Sequence, residues 1–232
     1  MSVNSSNSHR QRDSIPNTIW LTRHGEREDV VDRNWYQKPQ RAYDDPPLAE
    51  KGRKQAEELG QRLRDEPIDL IFSSPFQRCV ETAHIISSAR ANPLPIFLEP
   101  GLCEVLWSHY FPPGFQAADE LQRRFPLVDK NYQPATKKDQ LHLETYDMDC
   151  QGRVDETLTK MLTKYSGNML LVGHGASVGA ICASLTGTWE YVGLTTLTKC
   201  VGFPKDWPRQ RYRCEISNDA SHLSDKSNLR AY

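Results

Sequence analysis

Two short apolar runs in this chain each end on a histidine beside a glycine, and no other feature restricts the fold as much. Thr18 to Thr22 (TIWLT) stops at Arg23-His24-Gly25, and Asn168 to Val172 (NMLLV) runs into Gly173-His174-Gly175. Short apolar runs closed by turn-forming residues read as strands buried on both faces. An Ala/Gly-rich helical pattern follows His174.

The same alternation continues along the chain. Glu50 to Arg64 sets Ala56, Leu59 and Leu63 on one helical face with charges elsewhere. Ile68 to Phe72 reads as a strand, and Pro75 opens a helix that reaches Ser88. Ile96 to Leu98 is a third strand, Asp119 to Phe125 a short helix and Asp149 to Lys164 a longer one. Lys199 to Phe203 and Arg211 to Ile216 have strand patterns. Strands alternating with helices predict an α/β three-layer sandwich, with a mostly parallel central sheet and helices on both faces. One domain is expected over 17–216, with polar, loose tails over 1–16 and 217–232. Ligands of such folds bind beside the carboxyl ends of the strands, where both histidine tripeptides fall.

Phosphate chemistry fits what gathers there. Arginine matches phosphoryl oxygens two at a time. A histidine nucleophile needs one ring nitrogen free and the other held. Arg23-His24 supplies both at one strand end, and the arginine disfavours the imidazolium form. Arg27 lies about one helical turn further on. Ser73-Ser74-Pro75 ends another strand, with Arg78 in the first turn of the next helix, where backbone N–H groups favour anions. His174, flanked by glycines, allows close approach. Taken singly, each residue has a plain structural explanation, such as a surface ion pair or a packed histidine. Three strand–loop–helix units delivering Arg or His to one sheet edge are harder to explain that way.

Composition removes several partners. The 232 residues carry a formal net charge of -1 and a pI near 6.7, so nothing global points to nucleic acid or an anionic membrane. Met1 to Ser14 lacks a signal-type apolar core, and the apolar stretch Met169 to Leu185 is broken by His174 and its glycines. Six scattered cysteines without a CxxC pair suit a reducing, cytoplasmic setting. No metal-ligand spacing and no glycine-rich nucleotide loop is present, so neither metal nor cofactor is expected. Trp35, Trp107, Tyr110 and Phe111 suit an aromatic substrate wall or core packing equally. Cys79 and Cys103 read as small packing residues.

Four segments together resemble the histidine phosphatase, or phosphoglycerate mutase-like, superfamily. They are Leu21-Thr22-Arg23-His24-Gly25-Glu26-Arg27, Pro47 to Ala56, Phe72 to Ala83, and Val172-Gly173-His174-Gly175, spread over about Asn17 to Ile216. Arg27, Asp29, the Trp35 region, Leu98 to Glu104 and Glu144-Thr145-Tyr146-Asp147 resemble in particular the branch holding the phosphatase domain of suppressor of T-cell receptor signalling proteins and insect ecdysteroid-phosphate phosphatases. The resemblance implies that His24 is the nucleophile and Glu104, just past a Pro-Gly turn, the acid/base. It implies that Arg23, Arg27, Arg78 and His174 bind the phosphoryl group. The expected partner is a phosphorylated small molecule or phosphoprotein, and the branch points to a homodimer. The ubiquitin-associated and SH3 modules of the signalling proteins are missing from this chain. A mutase and a non-catalytic interaction module on the same fold are the alternative readings.

Overall fold

The first strand shows how the layers arise. In β1 (Asn17–Arg23) the side chains alternate: Ile19 and Leu21 enter one apolar cluster and Trp20 the other. A strand that buries both faces must be covered on both sides. The computed structural model describes residues 17–32, 34–37, 44–107, 111–203, 207–208 and 211–229. They form six strands: β1, β2 (Leu70–Ser73), β3 (Ile96–Leu98), β4 (Met169–Gly173), β5 (Leu197–Gly202) and β6 (Arg213–Asp219). The helices are α1 (Glu28–Val31, one turn), α2 (Glu50–Leu63), α3 (Gln77–Ser88), α4 (Ala118–Arg124), α5 (Gln151–Lys164) and α6 (Gly175–Thr186).

The sheet order is β3-β2-β4-β1-β5-β6. β3, β2, β4 and β1 run parallel, whereas β5 is antiparallel to β1 and β6 to β5. One face packs on α5 and α6 through Val154, Leu158, Met161, Val178 and Ile181. The other packs on α2, α3 and α4 through Leu59, Leu63, Val80, Ala83 and Leu121. The expected α/β sandwich is therefore present, with an antiparallel edge. No helix among the described residues is long and apolar enough to cross a membrane.

The C-terminal expectation needs correction. The last strand reaches Asp219, and the segment after it folds back onto the domain. Leu223 is buried, the Leu229 carbonyl accepts from the Leu194 N–H at 2.7 Å, and Lys51 pairs with Asp225 at 2.7 Å. Polar composition suggested a loose tail, but one buried leucine and backbone hydrogen bonds are enough to anchor it. The N-terminal tail, residues 1–16, lies outside the described residues.

Candidate active site

The parallel half of the sheet delivers four loops to one edge. Arg23 ends β1 in register with Gly173 of β4, and the His24 N–H donates to the Gly173 carbonyl at 3.1 Å. The Ser74 N–H, just past β2, donates to Val172 of β4, and the Glu99 N–H, just past β3, to Ser73. Ladder bonds thus carry His24, Ser74, His174 and the loop to Glu104 side by side.

Close backbone approach holds the first loop. A Cβ at Gly25 would overlap the Gly52 backbone, and one at Gly52 would overlap Glu26. Only glycine at both positions lets the loop rest on the start of α2. The Gly25 N–H donates to Thr82 Oγ1 at 3.2 Å and the Glu26 N–H to Gln55 Oε1 at 3.0 Å. Glu81 accepts from the Leu48 N–H at 3.1 Å and pairs with Arg53 at 2.6 Å, tying the segment before α2 to α3.

Inside this frame His24 and His174 are buried, their ring centroids 5.2 Å apart and edge to face. His24 Nδ1 lies 2.7 Å from the Gly25 carbonyl. A carbonyl only accepts, so the proton sits on Nδ1 and Nε2 keeps its lone pair. Burial, then the positive charges of Arg78 and Arg23, holds the His24 pKa well below the ordinary histidine value. The ring is neutral at neutral pH. His174 Nδ1 accepts from Arg78 Nη2 at 3.1 Å, so its proton sits on Nε2, 2.8 Å from Ser74 Oγ. Burial and Arg78 lower its pKa as well.

Arg78 is buried in the first turn of α3, and its Nη1 donates to the Asp44 carbonyl at 3.2 Å. Asp45 Oδ1 lies 3.9 Å from Arg78 and accepts from the Gln77 N–H at 2.6 Å, capping α3. Burial raises the Asp45 carboxyl to about 6 against the pull of Arg78. Arg23 is buried and donates to the Val192 carbonyl at 3.3 Å. Arg27 precedes α1, forks onto Asp29 at 2.9 and 2.6 Å, and its charge is felt by His24, Arg78 and His174. Glu104 is half-buried beyond the short helical turn Pro100–Leu102 and acts electrostatically on Arg78 and Cys79.

The six residues singled out in the sequence are therefore brought to one edge of the sheet. The aromatic residues divide. Trp35 is buried, Trp107 and Phe111 are each 39% exposed, and Tyr110 lies outside the described residues. Cys79 and Cys103 are buried thiols, Cys103 pushed up to about 12 by burial. Sequence reasoning missed Asp45 and Arg153, and it did not separate Gln55, Glu81 and Thr82 from the motifs around them. Their partners are backbone groups or side chains far along the chain, which no local pattern reveals. Among the described residues, no group of three or more His, Cys, Asp or Glu could hold a metal ion.

The sequence profile of the histidine phosphatase superfamily (branch 1) matches residues 19–196. The chain is 40% identical over 93 residues to the transcription factor tau 55 kDa subunit of Saccharomyces cerevisiae, which covers 39% of this chain and 21% of that protein. It is 26% identical over 203 residues to the ecdysteroid-phosphate phosphatase of Drosophila melanogaster, covering 73% of this chain and 27% of the relative. The chain thus spans less than a third of either relative. The crystal structure of an ecdysone phosphate phosphatase from Bombix mori in complex with tungstate superposes with a TM-score of 0.70 at 23% identity, covering 91% of this chain and 96% of that one.

Proposed function

The chain belongs to the histidine phosphatase superfamily, and from that membership we propose that it is a phosphomonoester phosphatase working through a phosphohistidine on His24. The observation that carries this reading is the His24 tautomer. The Gly25 carbonyl holds Nδ1–H, and burial beside arginines keeps Nε2 unprotonated. In the reaction, the Nε2 lone pair attacks phosphorus in line with the leaving oxygen. Arg23, Arg27 and Arg78 bind the phosphoryl oxygens as charge shifts, and the Nε2–H of His174 joins them by exchanging Ser74 Oγ for a phosphoryl oxygen. Glu104 protonates the leaving oxygen, and the alcohol departs. The Glu104 carboxylate then takes a proton from water, which attacks the phosphohistidine and releases phosphate, restoring His24.

Arginines supply the positive charge, so the proposal includes independence from metal and cofactor. The Drosophila melanogaster relative is a phosphatase by name, and the Bombix mori structure holds tungstate, a tetrahedral oxyanion. Both favour a phosphoryl site. The proposed substrate is a phosphotyrosine protein or a small aromatic or steroid phosphate. A homodimer in a reducing cytoplasm, with no nucleic-acid or membrane partner, completes the proposal. Brief incubation with ³²P-labelled substrate tests it. Acid-labile label on the wild type and none on His24→Ala is expected, and turnover by His24→Ala at the wild-type rate would refute it. A release assay over phosphotyrosine peptides, steroid phosphates, nucleotides and sugar phosphates then ranks the substrates.

A further inference from the structure

The loop from Gly101 to Leu106 carries Glu104 and has only short segments of regular structure around it. Its backbone converges on one side chain from α5. Arg153 Nη1 donates to the Gly101 carbonyl at 2.8 Å and the Cys103 carbonyl at 3.1 Å, and Nη2 to the Glu104 carbonyl at 3.3 Å. The other face of the fork meets Glu144, with Nε to Oε1 and Nη2 to Oε2 both at 2.8 Å. A guanidinium has five N–H donors, and these five contacts use them all. Glu144 Oε2 also accepts from the Leu106 N–H at 3.0 Å, and the Glu144 N–H donates to the Leu106 carbonyl at 2.9 Å. The side chains of Arg153 and Glu144 are 6% and 7% exposed.

Such a pair is a poor source of stability. Removing two charges from water costs about as much as their attraction returns, and apolar residues of equal volume often serve a fold as well. Apolar residues could not bind the carbonyls of Gly101, Cys103 and Glu104. A lysine could not either, because its ammonium is a point charge without the planar fork. The pair grips the backbone on both sides of Glu104 and leaves the carboxyl itself untouched: Glu104 Oε1 accepts only from the Val105 N–H, at 3.1 Å, among the described contacts. Gly101 adds close contact with α5, since a Cβ there would overlap the Thr157 side chain.

We infer that Arg153 and Glu144 are positioning residues for the general acid, setting where the Glu104 carboxyl meets the leaving oxygen. The inference rests on the reading of Glu104 as that acid. Proton transfer in the transition state tolerates little displacement, and a misplacement of about 1 Å costs on the order of 100-fold. The cost falls on substrates whose leaving oxygen needs the proton.

The test measures kcat and KM on an alkyl phosphate and on p-nitrophenyl phosphate for Glu104→Gln, Arg153→Lys, Glu144→Gln and Arg153→Lys/Glu104→Gln. For Arg153→Lys a loss of about 10- to 100-fold in kcat is expected on the alkyl ester. Its KM, and its turnover of p-nitrophenyl phosphate, should stay within about threefold. Glu144→Gln should show the same pattern with a smaller loss, and it carries the test if Arg153→Lys fails to fold by circular dichroism. The double variant should be no slower than Glu104→Gln alone. Equal losses on both substrates, or full additivity in the double variant, overturn the inference and make the pair a structural clamp only. If Glu104→Gln is leaving-group selective while Arg153→Lys and Glu144→Gln are not, the inference falls and the acid assignment stands. If Glu104→Gln itself shows no selectivity, the assignment fails and the inference with it.

Discussion

The two histidine loops occupy equivalent places, at the ends of the paired parallel strands β1 and β4, yet their rings are held in opposite ways. His24 spends one nitrogen on the carbonyl of its own neighbour, and the other keeps its lone pair. His174 engages both nitrogens, accepting from Arg78 and reaching Ser74. Both rings are buried among arginine charge and both are kept neutral. Burial beside the same three arginines thus gives unequal chemistry, because the hydrogen-bond partner decides which nitrogen carries the proton. On the proposed mechanism the first ring attacks phosphorus and the second holds a phosphoryl oxygen.

The largest expected effect breaks the comparison outright. His24→Ala should lose at least about 10⁴-fold in kcat, since the proposed covalent route runs through its ring. Steady-state phosphate release with a homogeneous preparation measures it, and a loss below tenfold would give the nucleophile's role to another residue. His174→Ala should cost less, about 10²- to 10³-fold, as for one lost charge-stabilising donor. It should still accumulate acid-labile label. A His174 variant that cannot be labelled would place the nucleophile on the wrong ring.

Arg27→Ala sharpens the picture of what surrounds both rings. Its guanidinium is shared with Asp29, so the loss should be near tenfold in kcat/KM, equal for alkyl and nitrophenyl esters. An effect confined to one ester would recast Arg27 as a contact to the rest of the substrate.

The smallest effect is on stability. In the fold both rings hold pKa values well below 6.5, whereas the unfolded chain takes up protons as pH falls through that value. Stability should therefore fall below pH 6.5, by up to about 1.4 kcal/mol per pH unit for each ring. Asp45, raised to about 6, gains its proton in the fold first and opposes part of this loss below that pH. Urea unfolding at pH 7.5, 6.5 and 5.5 measures the slope, which should be shallower in His174→Ala. An unchanged slope would mean that His174 takes up its proton in the folded protein as readily as in the unfolded chain.

The sequence by itself determined the strand–helix alternation, the α/β class and the placing of Arg23, His24 and His174 at strand ends and of Arg78 in the first turn of a helix. These are local signals: apolar runs of strand length, glycines at turns, proline at a helix start. It also marked Gly25 and Gly52, in separate motifs that the fold presses together. Tertiary structure alone decided the rest. The proton on His24 depends on where the Gly25 carbonyl turns, and that on His174 depends on Arg78, 96 residues away. Asp45 caps a helix 32 residues downstream, and Arg153 grips a loop about 50 residues upstream. The antiparallel edge and the anchored C-terminal segment come from pairing with β1 and α2, not from their own composition. Burial, charge and hydrogen-bond direction are properties of the assembled site. One-dimensional pattern carries which residue types meet at an edge, and only packing fixes which atom of each faces which partner.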